Sequence, residues 1–454
     1  FGCDDTAKSE FLNKRKAKGD IVGPGRSQSN LWFVQPETLD RLGPALGRGA
    51  VWLQDVVKSG ETSEPFLFTG FAHRSVHLVN EDAEVKTFIL EVDAAGNGQW
   101  QKLKEVEVAA KGCAWLPFTA EEKGTWVRLK TTTNAACVTA LFYFQNDDTR
   151  SAEPDGIFAG IATPEDTQVT GGLMHARGAD FKTLRYLARD GAGDLGCYDL
   201  DGTLALRQTN DIAGQEWTRE HVAIPKDILI ADAASILYVD DKGGRWRLPR
   251  GSAALDAPGV LGEERIDREV CTERDLFNAG GIFYELPADN AGGFAKIRPI
   301  TTHNRRIKDY ASYRGMLVMS GVRKDAAGEH IIKSDDGKTS LWLGAVDDLW
   351  QFGKARGFGG PWKDSGVKAG IPSDPYLMTG FDDKTLTLSH NAAKPVTIRV
   401  EVDIAGTGLW CPYREFQVAA GEPLVHHFPK AFGAYWLRLV ADQDCVATGQ
   451  LVYE

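Results

Sequence analysis

The stretch TTHNRRIKDYASYRG at 301–315 gathers His303, Arg305, Arg306, Lys308, Asp309, Tyr310, Tyr313 and Arg314 into one short connection. In a chain of net charge −11 such a basic cluster is unusual. Guanidinium forks grip a carboxylate or sulfate through paired hydrogen bonds. Imidazole exchanges protons near neutral pH. A tyrosine can donate a proton or lay its ring on a sugar face. The same residues also suit a solvated loop beside a core tyrosine, and both readings stand at this stage.

Two further groups carry similar chemistry. In GGLMHARG, 171–178, His175 and Arg177 are two apart and share one face of a strand. A strand histidine held by structural hydrogen bonds is the alternative. In REVCTERDLFNAGG, 268–281, Glu273, Arg274, Asp275 and Asn278 crowd together. Glu273 or Asp275 could act as a general acid, or the group could be an arginine–carboxylate network between neighbouring sheets. His426 and His427 are adjacent on one strand, so their side chains face opposite ways, a poor start for chelation. HExxH, GxSxG and phosphate-loop signatures are absent, which argues against common zinc peptidases, serine esterases and nucleotide hydrolases.

The elements that must position these residues are β-strands. Glycine is abundant at 49, there are 12 tryptophans, and few segments carry a helical apolar period. A chain of 454 residues is too long for one ordinary core. EVDAAGNGQW at 91–100 returns as EVDIAGTGLW at 401–410, and the same offset of 310 relates 57–71 to 367–381, Trp52 to Trp362 and Trp126 to Trp436. This is an internal duplication. The aspartate and glycines of each copy suit a hairpin turn, and a structural calcium ion is compatible with them. About thirty short strands would make seven or eight four-stranded sheets.

These features predict an all-β, seven- or eight-bladed β-propeller over residues 1–454, closed by pairing of its N- and C-terminal strands. The duplicated segments, about 31–147 and 341–454, would each be a pair of blades. The rival architecture is a propeller with β-sandwich modules at 65–147 and 375–454.

The acidic balance disfavours nucleic acid, and no run is long enough to span a bilayer. Seven widely spaced cysteines without CxxC signal neither a zinc ribbon nor a disulfide framework. Cys137 and Cys445 are expected at equivalent positions as small hydrophobes. The opening FGCDD has the form of a lipobox tail with Cys3 as the lipidated residue.

The stretches SEPFLFTGF, SVHLV and EVDAAGNGQW, their second copy, and TTHNRRIKDY resemble secreted bacterial seven-bladed propellers that act on plant or algal polysaccharides. The nearest type cleaves rhamnose–glucuronic acid linkages, as hydrolase or lyase. The resemblance covers architecture, with no catalytic motif to align. It implies a secreted or periplasmic protein acting on a polysaccharide or oligosaccharide. Apart from the structural calcium ion that the hairpins allow, no cofactor is expected.

A lyase would pair Arg305 or Arg306 with the uronate carboxylate, aided by Arg177 and Arg314. His303 or His175 would take the α-proton and Tyr310 would protonate the leaving oxygen. A hydrolase would use two carboxylates such as Glu273 and Asp275. The His/Arg/Tyr grouping tilts the expectation toward elimination. The alternative is a non-catalytic glycan- or protein-binding propeller or scaffold.

Overall fold

The repeated ten-residue phrase is a hairpin built on its aspartate. In the computed structural model the Asp93 carboxylate accepts backbone N–H groups from Gly96 at 2.8 Å, Asn97 at 3.2 Å and Gly98 at 2.7 Å. Asp403 holds Gly406 at 2.9 Å and Gly408 at 2.7 Å in the second copy. Gly96 and Gly98 have φ of 70° and 82°, in the left-handed region that glycine enters without strain. The aspartate oxygens are thus directed onto their own turn. The structure describes residues 34–177, 183–271 and 274–454, with the backbone alone at 2–3, 30–31, 271 and 274.

The chain is all-β, with antiparallel sheets, and divides into two compact units, 43–149 with 360–454 and 1–42 with 150–359. In the first unit each copy of the duplication forms two sheets. One has the order Leu46–Val57, Ala135–Gln145, His73–Asn80, Gly112–Phe118; the other Phe66–Leu67, Trp126–Thr131, Lys86–Asp93, Trp100–Val108. The inner faces share one core, with Trp52, Leu78 and Phe142 from the first sheet and Phe88, Leu90 and Leu129 from the second. Period-two alternation of apolar residues builds that core. Residues 357–453 repeat the same interleaved orders.

This arrangement corrects the expectation that each duplicated segment is a pair of propeller blades. In a meander blade every strand neighbours the next in sequence, whereas here the last strand of each sheet inserts between that sheet's first and second. Closure through the C-terminal strand is also corrected. Cys445–Tyr453 has Lys384–His390 on one side and Gly357–Val367 on the other, so neither edge is open to a terminal partner.

The last strands are shifted by one residue relative to the repeat. Val138 pairs with Asn80, but Ala447 pairs with His390. Cys137 therefore corresponds to Val446, not Cys445, and both cysteines are half-buried rather than core residues. A positive-φ bulge marks both copies, at Gln54 and Asp364, whose N–H groups donate to Thr139 and Thr448.

The second unit does contain meanders. Strands Val169–Arg177, Thr183–Arg189, Asp194–Leu200 and Leu206–Thr209 follow one another across one sheet. Asp267–Cys271, Arg274–Ala279, Ile282–Pro287 and Arg298–Thr302 make another. A third sheet has the order Asp309–Tyr313, Met316–Ser320, Ser340–Gly344, Ile331–Lys333, with its last two strands exchanged relative to a meander. The third sheet is buried on both faces. Tyr310, Leu317, Met319 and Trp342 pack with Phe283 of the second sheet, while Ala311, Tyr313, Val318 and Leu341 pack with Met174 and Tyr186 of the first. Alternating residues thus serve opposite cores.

Where these sheets begin, a fully buried carboxylate ties them together. Asp309 Oδ1 accepts from Arg265 Nε at 3.0 Å and Oδ2 from Arg265 Nη2 at 3.2 Å. Oδ2 also accepts the Met174 N–H at 2.9 Å. Arg268 lies 3.4 Å from Oδ1 and donates to the carbonyls of Met174 and Tyr310. Removing one partner of such a network leaves unpaired buried charge. Asp309→Ala should therefore cost about 3–5 kcal/mol. Urea unfolding followed by circular dichroism measures it, and a loss below about 1 kcal/mol would contradict the assignment.

Candidate functional site

A cavity of about 220 Å³ opens in the second unit beside the 303–309 segment. Its lining includes Asp166, Val169, Leu261, Glu264, Arg306 and Lys308. A turn closed by the Gly262 N–H on the Gly259 carbonyl at 2.9 Å forms one wall. Gly262 has φ of 75°, and a Cβ on Gly259 would come within 3.1 Å of Arg306 Cδ. Glycine is needed at 262 for the backbone and at 259 to let the arginine pass. A second space of about 110 Å³ shares Pro258, Glu264 and Arg306 with the first.

Three of the four ionisable groups lining the cavity, Glu264, Arg306 and Lys308, influence one another. Arg306 Nη1 reaches Glu264 Oε1 at 3.1 Å and donates to the Ala257 carbonyl at 2.8 Å. Burial raises the Glu264 carboxyl to about 7, against the opposing pull of Arg306. Burial lowers the Lys308 ammonium to about 8, opposed by Asp309; Arg189 adds to the lowering, while Glu264 and Glu263 oppose it. Lys308 Nζ donates to the Glu263 carbonyl. An acid and an amine that both exchange protons near neutral pH therefore line one cavity.

Of the residues given a catalytic or binding role in the sequence, Arg306 alone lines this cavity; Lys308, named in the same cluster without a role, lines it too. His303 is 2% exposed. Its Nε2 pairs with Asn278 Oδ1 at 3.1 Å, its Nδ1 accepts the Arg305 N–H at 2.9 Å, and its ring lies 4.5 Å from that of Phe283. Burial and then Arg305 lower its pKa to about 3, so it stays neutral and structural. Tyr310 is fully buried and donates to the Leu276 and Ile266 carbonyls, and burial pushes its hydroxyl far above its ordinary range. The roles of His303 as base and Tyr310 as acid are corrected accordingly.

His175 and Arg177 do share a strand, but they serve other partners. His175 Nε2 meets Thr218 Oγ1 at 2.9 Å, and burial lowers its pKa. Arg177 pairs with Asp211 at 2.8 Å, next to Arg185, which grips Asp199 and Asp211. Burial lowers the Arg305 pKa, opposed by the charges of Asp166 and Glu153. Arg314 Nε donates to the Tyr313 hydroxyl at 3.1 Å.

Asp275 pairs across strands with Glu269, and burial followed by that neighbour's charge raises its pKa. Glu273 lies outside the described residues, as does the side chain of Cys3.

Sequence reasoning passed over Glu264 and gave Lys308 no role. The signal for Lys308 was alternation, since Arg306 and Lys308 flank the core residue Ile307. For Glu264 the signal was PGVLGEE, turn residues followed by two acids. The run Gly191–Gly196 spells GxGxxG, but it is a turn between the antiparallel strands Thr183–Arg189 and Asp194–Leu200, with no helix to receive a phosphate. Among the described residues no group of three or more His, Cys, Asp or Glu is arranged to hold a metal ion, and no helix is long and apolar enough to cross a membrane. His426 bonds Tyr413 and His427 bonds Thr385.

No protein-family model and no curated protein matches the chain. Among solved structures, the PBSX exported protein XepA aligns at 7% identity over 89% of this chain and 85% of that one, with a TM-score of 0.17. The M60 catalytic domain with two CBM51 domains of Clostridium perfringens ZmpB aligns at 8% identity over 88% and 36%, with a TM-score of 0.14. The CBM22 tandem of Paenibacillus barcinonensis Xyn10C aligns at 10% over 90% and 83%, with a TM-score of 0.13. Likenesses this weak carry no argument about fold or function.

The raised Glu264 pKa has a stability consequence. A carboxyl raised in the folded state contributes stability fully below its unfolded value and loses it as pH rises through about 7. Glu264→Gln should flatten the fall in melting temperature across that window. Site-labelled ¹³C titration should place the carboxyl midpoint near 7, and Arg306→Leu should move it higher. A midpoint in the ordinary carboxylate range would contradict the burial.

Proposed function

We propose that the cavity at Glu264, Arg306 and Lys308 binds an acidic saccharide, with the uronate carboxylate between the two cations. The observation carrying this reading is a basic pair lining a concave site in an acidic protein. A volume of about 220 Å³ lies below the roughly 300–1,000 Å³ of drug-sized sites, which suits a single sugar ring. Pro164, Pro258 and Val260 supply aliphatic surface for the ring's C–H face. The meander sheets over 169–209 and 267–302 favour reading this unit as a propeller-like module. A secreted or periplasmic setting, and kinship with rhamnose–glucuronate-cleaving proteins, belong to the same proposal.

Glycosidic cleavage is the second reading, favoured by the shifted pKa values of Glu264 and Lys308. In an elimination, Arg306 would neutralise the carboxylate, neutral Lys308 would take the proton α to it, and protonated Glu264 would donate to the departing glycosidic oxygen. The C–H and C–O bonds would break as a C=C bond forms. Release of unsaturated uronate, followed by ultraviolet absorbance, separates this reading from binding alone.

Isothermal titration with glucuronate oligosaccharides tests the binding. Arg306→Leu and Lys308→Met should each weaken it about tenfold or more, since a hydrogen bond to a charged group is worth about 1.5–3 kcal/mol. Affinity should fall as pH rises through 7 and then 8, because Glu264 gains negative charge and Lys308 loses positive charge. Equal affinity for neutral oligosaccharides, or no effect of either substitution, would overturn the proposal.

A further inference from the structure

The two copies of the duplicated sandwich bring two cysteines together that the duplication itself does not relate. Cys113 lies on Gly112–Phe118 of the first copy and Cys411 on Trp410–Val418 of the second. Their Sγ atoms are 2.6 Å apart. That is far inside non-bonded sulfur contact and close to the roughly 2.05 Å of a disulfide. By the offset of 310, Cys113 corresponds to Pro423 and Cys411 to Gln101, so neither cysteine has a counterpart in the other copy.

Independent contacts hold the two copies in this position. His77 Nε2 meets the Gly433 carbonyl at 2.9 Å and Ser75 Oγ donates to the Ala431 carbonyl at 2.6 Å. The Trp115 and Phe432 rings sit 5.3 Å apart at an angle of 74°. A Cβ on Gly433 would fall inside the Tyr143 ring, so the backbone at 433 is pressed against the facing copy. The sulfur pair is therefore set by a packed interface and not by a mobile loop.

We propose that Cys113 and Cys411 form a disulfide that covalently joins the two sandwich copies. Cys113 is the half-exposed partner and Cys411 the buried one. This fixes the order of the chemistry. The Cys113 thiolate attacks an external disulfide, such as oxidised glutathione, forming a mixed disulfide and releasing one thiol. Cys411, as thiolate, then attacks Cys113 Sγ and releases the second thiol. Two protein thiols lose two protons and two electrons, and the external disulfide becomes two thiols. The link closes a very long loop, the kind that most restricts the unfolded chain.

The test is alkylation of the whole protein in denaturant, with and without prior reduction, after equilibration with oxidised glutathione. Intact mass should show two fewer alkyl groups without reduction, and digestion should yield a peptide joining Cys113 to Cys411. Cys113→Ser and Cys411→Ser should each abolish that peptide. In the wild type, reduction should lower the melting temperature by about 5 °C or more, and the difference should vanish in both variants. Equal alkylation with and without reduction, or a peptide joining other cysteines, would overturn the proposal. The alkylation count uses only the wild type, so it holds even where a variant folds poorly.

Discussion

The buried carboxylate of Asp309 is the constraint on which the sheets of the 150–359 unit depend. It has no exposure to water, so its charge must be met entirely by protein groups. Arg265 and Arg268 from one segment and the Met174 N–H from another meet it. Because a buried ion tolerates little change in its neighbours, these segments share one geometry. The same constraint orients the cavity wall. With Ile307 and Asp309 directed into the core, Arg306 and Lys308 line the cavity.

The cavity's chemistry follows from that placement. Taking Glu264 and Lys308 partly out of water disfavours both charges, raising one pKa and lowering the other. The bond from Arg306 to Glu264 limits how far that acid climbs. The cavity is consequently most cationic in mildly acidic solution, which suits an anionic ligand better than a neutral one.

Much of the local structure was legible in the sequence. The Asp–Gly hairpins at 93–98 and 403–408 are fixed by short-range hydrogen bonds, and the offset of 310 exposed the duplication directly. Sheet order was not legible, because a period-two strand looks the same in a meander blade and in an interleaved sandwich. The basic segment at 301–315 was legible as a cluster, and two of its residues, Arg306 and Lys308, line a cavity. Which of its residues face the cavity was not, since alternation reveals two faces without saying which is buried. His303 and Tyr310 carry the most familiar catalytic side chains, yet both satisfy core carbonyl and amide groups instead. The Cys113–Cys411 pair could not be found by spacing at all, because the copies meet through non-equivalent strands.

The most direct test of the account is diffraction from crystals soaked separately in glucuronate and in glucose at equal concentration. The account predicts density for glucuronate alone in the cavity, with its carboxylate within hydrogen-bond distance of Arg306 and Lys308. Glucose bound equally well there, or glucuronate bound only on the sandwich unit, would contradict it.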